Sequence, residues 1–306
     1  SGLYPYLIRH LEQSKIQGLA LTTVNRRDSL LRSFIAWCQE HGIDQPQDVT
    51  KPLLERYQKY LYYYRKTNGE PLSGSSQNNS LGALKMWFSW LTRENYLLYN
   101  PASELIIPKR LRRLPRYVMS VEQVAEIMAQ PDINTPSGLR DRAILETFYA
   151  SGIRRSELCH LHVDAIDPHR HVLFVHRGKG DRDRYVPLGE AAYHWVQRYH
   201  QEIRPSLLVD PSEQSLFLTD YGEAFKSTSI GDLVKRYIVS AGIEAKGSCH
   251  LFRHAMATHM LDNGADVRFV QAMLGHADLN TTQIYTPVSI NQLTHIHAST
   301  HPSNTQ

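Results

Sequence analysis

Between Ile106 and Arg116 the chain reads Ile-Ile-Pro-Lys-Arg-Leu-Arg-Arg-Leu-Pro-Arg, with two prolines, five cations and no apolar face at helical spacing. Proline removes a backbone donor and steers the residue before it away from the helical region, so no regular element runs through this stretch. It divides the 306 residues into two unequal parts, each long enough to bury a core of its own. The expected organisation is a first domain over residues 1–105, a basic linker over 106–116 and a second domain over 117–306.

The first domain reads as helices. From Thr22 to Cys38, Val24, Leu30 or Leu31, Phe34 and Trp37 fall on one side at helical spacing, and Gly42 closes the pattern. A second helix is expected over Lys51 to Lys66, with Pro52 near its first turn, and a third following Gly74-Ser-Ser-Gln and running through Leu84, Trp87, Phe88 and Leu91. These aromatic stripes are expected in the core. Tyr60 and Tyr62 to Tyr64 are the exception, because so many phenols in one stretch of helix exceed what a single apolar face buries. Charge is uneven: residues 1–110 hold 14 Lys+Arg against 9 Asp+Glu, the remainder 20 against 21. Phosphate neutralisation dominates nucleic-acid affinity, so the excess points to a polyanion-facing surface, ordinary solvated helix faces being the alternative. The linker cations Lys109, Arg110, Arg112, Arg113 and Arg116 are candidate contacts to a nucleic-acid backbone, or else a solvated tether.

In the second domain Ser120-Val-Glu-Gln123 is a capping-box pattern opening a helix to about Ala129. Further helices are expected over 138–150, 189–202, 228–241, 249–262, 266–274 and 278–285, with a short one near Gln292 to His297 in the polar tail. His171 to His176 and Asp183 to Pro187 read as two short strands around the Gly-rich turn Arg177-Gly-Lys-Gly-Asp. The expected fold class is therefore mainly α (α+β), a helical domain followed by a mostly helical one with a small antiparallel sheet.

No apolar run approaches the roughly 18 residues that span a bilayer, so no membrane association is expected. The opening residues lack the basic, apolar, small order of a secretory signal. Cys38, Cys159 and Cys249 are too scattered for a disulfide framework or a Cys-x-x-Cys metal knuckle. The expected location is the cytoplasm.

Several motifs of the second domain converge on phosphate. Gly152-Ile-Arg154-Arg155-Ser-Glu157-Leu follows an apolar helix and reads as a turn into another. An arginine fork donates two hydrogen bonds at once and keeps its charge, which makes Arg154 a candidate clamp, with Glu157 to orient it or a neighbouring histidine. Lys179, at the tip of Gly178-Lys179-Gly180, is a candidate proton donor to a leaving oxygen. The spacing of a nucleotide phosphate loop is missing, so no ATP is implied. His250, Arg253 and His254 stand at i, i+3 and i+4 and share one helix face, where His250 and Arg253 could donate together to a non-bridging phosphoryl oxygen. His254 has packing or capping as its alternative. The same two histidines have the spacing of a zinc helix, but Leu251 stands where a zinc protease carries Glu and no thiolate pair completes a site, so no metal is expected. His276 follows Leu274-Gly275 within one turn-and-helix unit of Tyr285. A phenol is a poor nucleophile until its proton and the charge on phosphorus are handled, and the cations and imidazoles supply that handling. The set reads as a phosphodiester site in which Tyr285 attacks.

In combination and order, Tyr-Ala-Ser-Gly-Ile-Arg154-Arg-Ser-Glu157-Leu, Gly-Lys179-Gly-Asp-Arg-Asp-Arg-Tyr-Val-Pro-Leu, His250-Leu-Phe-Arg253-His254, Leu-Gly-His276 and Thr-Thr-Gln-Ile-Tyr285 resemble the tyrosine recombinase (phage integrase) family, closest to its Xer-type members. The resemblance covers both halves of the chain and implies a helical, SAM-like core-binding domain ahead of a catalytic one. It implies that Arg154 and Arg253 clamp the scissile phosphate, that His250 and His276 complete the pocket, that Lys179 protonates the departing 5′ hydroxyl, and that Tyr285 forms a 3′-phosphotyrosyl bond. Such a linkage conserves bond energy, so neither cofactor nor metal is expected. The implied partner is double-stranded DNA with inverted half-sites, bound by a homo-tetramer or a hetero-tetramer with a paralogue in the bacterial cytoplasm or nucleoid. Strands would exchange in pairs through a Holliday junction, with a C-terminal helix passed to a neighbour, in integration, excision, resolution or transposition. Pro287 stands where the family often has His, and no large insertion precedes His250. Two alternatives stay open: a catalytically inactive DNA-binding or architectural relative, and a type IB topoisomerase-like enzyme.

Overall fold

The computed structural model describes residues 2–108, 117–176, 183–275 and 290–302, and the chain divides into two compact units, Ser1–Leu114 and Pro115–Gln306. The first unit is built from α1 (Tyr4–Ile16), α2 (Leu21–Glu40), α3 (Lys51–Tyr63) and α4 (Gly74–Arg93). Pro52 sits in the first turn of α3, where its missing N–H goes unneeded, and the Ser73 hydroxyl accepts from the Ser76 N–H to start α4. Phe34 is the hub of the core, meeting Tyr57, Trp87 and Phe88 edge-on. Tyr60, Tyr62, Tyr63 and Tyr64 are exposed. The apolar pattern leaves α1 unmarked because two of its inward positions are polar: His10 and Ser14 are buried alongside Leu7 and Leu11. Side chains of this unit hold the start of the predicted linker, Gln58 Nε2 donating to the Ile106 carbonyl at 3.0 Å and Asn78 Nδ2 to that of Pro108 at 2.7 Å. Lys109, Arg110, Arg112, Arg113 and Arg116 lie outside the described residues.

The second unit is mainly α with a small sheet. Its elements are α5 (Val121–Met128), α6 (Pro136–Ser151), α7 (Arg155–Cys159), β1 (Ile166–Asp167), β2 (Val172–Val175), β3 (Arg184–Pro187), α8 (Glu190–Arg198), α9 (Arg204–Leu207), α10 (Ser227–Ser240), α11 (Cys249–Asp262), α12 (Val267–Leu274) and α13 (Ile290–Thr300). The capping box of Ser120 and Gln123 forms at the head of α5. The strands pair antiparallel in the order β1-β2-β3, with Leu173 opposite Val186 and Val175 opposite Arg184. At two residues, β1 is too short to show alternation in sequence. The helix expected over 189–202 is interrupted: after α8 the chain widens into a π turn over Tyr199–Ile203 before α9. Pro205 lacks an N–H and its ring crowds the carbonyl a turn earlier, so the regular ladder cannot continue through it.

At the centre lies α6, buried from Gly138 to Ser151 on almost every side. A helix enclosed in this way must neutralise its charges internally. Arg140 pairs with Asp141 at 2.9 Å and Asp220 at 2.6 Å, and Arg142 with Glu146 at 2.7 Å. Both α6 and α12 end in a left-handed glycine, Gly152 and Gly275, each with φ of 60°. A side chain there costs about 1–2 kcal/mol, and the glycine cap leaves the last carbonyls of each helix available to outside donors.

Helix α13 is longer than its polar sequence predicts; its His297 Nε2 lies 2.9 Å from the Ala150 carbonyl, and His301 Nε2, one residue past its end, 3.0 Å from that of Tyr149. Burial pushes the His297 pKa down to about 4 and that of His301 to about 3, so both meet the end of α6 as neutral donors. The helix expected over 278–285 lies outside the described residues. Among the described residues no helix is long and apolar enough to cross a membrane.

Candidate active site

The ends of α6 and α12 set the site. Immediately beyond Gly152 the chain turns into α7, and the Arg154 N–H donates to Glu157 Oε2 at 2.7 Å, a carboxylate in the first turn reaching back to cap it. The Arg154 guanidinium donates through Nη1 to Glu157 Oε1 at 2.8 Å and through Nη2 to the Gly275 carbonyl at 3.1 Å. Its remaining N–H bonds have no partner among the described residues, and its side chain is 20% exposed.

Arg253 comes from α11 and is buried. Its Nη1 donates to the Gly152 carbonyl at 2.6 Å and its Nη2 to the Leu274 carbonyl at 2.7 Å. The two clamp candidates therefore converge on consecutive carbonyls, Leu274 and Gly275, at the C-terminus of α12. Partial negative charge at a helix C-terminus offsets part of the repulsion between guanidiniums held so close. Burial, and then Arg154 and Arg184, lower the Arg253 pKa to about 10, against the opposing pull of Glu157, and it keeps its charge at neutral pH.

Glu157 is saturated. Arg184, on β3, donates from Nη1 to Oε1 at 3.0 Å and from Nη2 to Oε2 at 2.8 Å, so with Arg154 each carboxylate oxygen accepts two hydrogen bonds. A carboxylate offers about four lone-pair sites, and all are used. Burial alone would raise its pKa, but the bonds from Arg184 and Arg154 overcome this and hold it at about 2. Glu157 thus has no role as a proton acceptor; it orients arginines. Three guanidiniums around one carboxylate leave net positive charge, which suits a tetrahedral oxyanion.

His250 is exposed near the start of α11, one turn before Arg253. Desolvation, His254 and the neighbouring Arg155, Arg253 and Arg154 hold its pKa below the ordinary 6.5. It is neutral at pH 7, with one nitrogen to donate and one to accept. If the neutral ring is the working form, the rate of the reaction falls as pH drops through a value below 6.5, and His250→Gln lacks that acid limb. Single-turnover rates between about pH 4.5 and 8 check this. An acid limb that survives in His250→Gln belongs to another group. His254 is exposed on the same helix.

Of the residues singled out in sequence, Arg154, Glu157, His250 and Arg253 are gathered here. Lys179, His276 and Tyr285 lie outside the described residues. Arg184 lies in the Gly-Lys179-Gly-Asp-Arg-Asp-Arg-Tyr-Val-Pro-Leu motif without an expected role of its own. Its signal was available: it shares the inward side of β3 with buried Val186 at a spacing of two, and a charge on the core side of a strand needs a partner.

Two arginines gathered at the C-termini of two helices inside a mainly helical unit form a cationic site of the kind that suits an anion. Residues 117–292 match the phage integrase family. The chain is 52% identical to tyrosine recombinase XerC 2 of Ralstonia nicotianae, covering 98% of this chain and 86% of that protein. It is 36% identical to tyrosine recombinase XerD of Lacticaseibacillus casei, covering 98% and 99%. Among solved structures, a lambda integrase tetramer bound to a Holliday junction shares the fold, with a TM-score of 0.68 at 16% identity over 96% of this chain and 78% of that one. The chain belongs to the phage integrase family. It is a tyrosine-type site-specific DNA recombinase.

Proposed function

We propose that Tyr285 attacks the scissile phosphate of a bound DNA duplex while Arg154 and Arg253 hold its non-bridging oxygens. The observation that carries this reading is the convergence of both guanidiniums on the Leu274 and Gly275 carbonyls, directly before His276 in the chain. The P–O bond to the 5′ oxygen breaks as the tyrosyl oxygen bonds to phosphorus, leaving a 3′-phosphotyrosyl ester. Neutral His250 is suited to take the phenolic proton, His276 completes the donor set, and Lys179 gives a proton to the departing 5′ oxygen. Attack by the 5′ hydroxyl of another strand reverses these transfers and reseals the backbone.

Residues 1–105 serve as the core-binding domain, 106–116 as a linker whose Lys109, Arg110, Arg112, Arg113 and Arg116 follow the DNA backbone, and 117–306 as the catalytic domain. The assembly is a tetramer on paired inverted half-sites that passes through a Holliday junction, in a bacterial cytoplasm. Support comes from the relatives' names as tyrosine recombinases and from the junction-bound tetramer that shares the fold.

Covalent capture tests the reading. Cells producing the protein are lysed in denaturant, the protein is recovered, and attached DNA is sequenced. A discrete set of sequences is expected, insensitive to EDTA. Recovery of no attached DNA sinks the reading and leaves an architectural DNA-binding protein, and random sequence with relaxation of supercoils points to a topoisomerase. The part of Lys179 has its own check: Lys179→Ala is expected to slow cleavage about 10²–10⁴-fold on an ordinary 5′-oxygen substrate. A 5′-thiolate leaving group needs no proton and should restore most of the rate. Equal slowing on both substrates would remove Lys179 as the acid.

A further inference from the structure

Two of the four hydrogen bonds on Glu157 come from Arg184, and Arg184 Nε also donates to the Met273 carbonyl at 2.9 Å in the last turn of α12. The side chains of Arg184 and Glu157 are 12% and 4% exposed, so the pair is enclosed. A planar fork serves two carboxylate oxygens and a carbonyl together because its donors are fixed in one plane; an ammonium has no such geometry. Arg184 thereby ties β3 to α7 and to the end of α12. The groups it ties are those that hold Arg154, namely Glu157 and the chain end at Gly275.

The geometry points to Arg184 as a positioning residue for strand cleavage, one that occupies Glu157 so that Arg154 binds the carboxylate through Nη1 alone and keeps the rest of its fork for the phosphate. This rests on the reading of Arg154 as a phosphate clamp. A carboxylate released from Arg184 has lone pairs to spare and can draw Arg154 into a two-pronged pair. A fork closed on Glu157 no longer faces a substrate, and a displacement of about 1 Å at a catalytic group costs on the order of 10²-fold in rate.

The test compares wild type with Arg184→Lys, Arg184→Met, Glu157→Gln and the double variant Arg184→Met/Glu157→Gln. Each is assayed for covalent adduct formation on a nicked duplex bearing a sequence recovered by capture, for affinity to that duplex, and for its urea midpoint. Arg184→Lys should slow adduct formation about 10–100-fold while affinity stays within about threefold. Arg184→Met leaves the buried Glu157 with Arg154 as its one remaining arginine partner, and Glu157→Gln leaves the enclosed Arg184 without a carboxylate, so either should lower the urea midpoint. The double variant removes both charges and should recover most of the midpoint, yet its adduct formation should stay at least about 10-fold down. The Arg154 N–H and its Nη1 donate to different oxygens of Glu157, and in Glu157→Gln one of those positions becomes an NH2 that cannot accept, so one of the two bonds is lost. Recovery of cleavage together with stability makes Arg184 a purely structural residue and overturns the inference. So does a wild-type rate in Arg184→Lys, or losses in the two single variants that multiply as independent effects. Wild-type protein that forms no adduct overturns the clamp reading itself.

Discussion

Tyr285→Phe is expected to abolish the covalent protein–DNA adduct, by at least about 10⁴-fold, while DNA binding persists. The substitution removes one oxygen, the atom that would bond to phosphorus, and no other group of the site replaces it. Arg154 stays tied to Glu157 and the Gly275 carbonyl, and Arg253 to the carbonyls of Gly152 and Leu274, so this cationic cluster should survive the change. Affinity in a mobility-shift assay should therefore move by less than about threefold, since phosphate neutralisation by cations supplies most of it. The chain has 17 tyrosines. An adduct that still forms in Tyr285→Phe, located by mass spectrometry on another of them, would overturn the assignment.

The second large effect is expected at Arg154. Removing one preorganised donor from a developing oxyanion slows a reaction about 10²–10³-fold, so Arg154→Ala should lose that much in the rate of adduct formation. Binding should fall far less. A single phosphate contact contributes about one unit to the slope of log affinity against log salt, so the slope should drop by no more than that. The fold should hold, because Glu157 keeps its two bonds from Arg184 and is not left as an unpaired buried charge. Arg154→Lys separates charge from shape: an ammonium keeps the charge but cannot span Glu157 and the Gly275 carbonyl as the fork does. Its rate should lie nearer to Ala than to wild type. A lysine variant with full activity would mean that charge alone matters, and an Arg154→Ala protein whose affinity falls as far as its rate would make Arg154 a ground-state binding residue.

The helices with apolar stripes were legible because burial follows spacing. The stretch from Thr22 to Cys38 and the stripe at Leu84, Trp87, Phe88 and Leu91 form α2 and α4 with those residues inside. Helix α1 was not, because burial there includes His10 and Ser14, and a polar residue marks an inward position only when its neighbours in space are known. The π turn after α8 follows from Pro205, but its width depends on what the turn packs against.

The same division runs through the site. Residue order by itself determined which chemistries the chain can bring to a phosphate: forks at Arg154 and Arg253, an imidazole at His250, a carboxylate at Glu157, each within a short motif. It also determined where two helices stop, because glycine alone takes the left-handed cap without strain. Only the tertiary structure decided how these groups are used. Arg154 meets a carbonyl 121 residues away, Arg253 one 101 residues away, and Arg184 a carboxylate 27 residues away. No local preference encodes such pairings. They arise where packing around α6 brings the open carbonyl ends of two helices together, and they make Glu157 a fully occupied anchor for Arg154 and Arg184 rather than for a histidine.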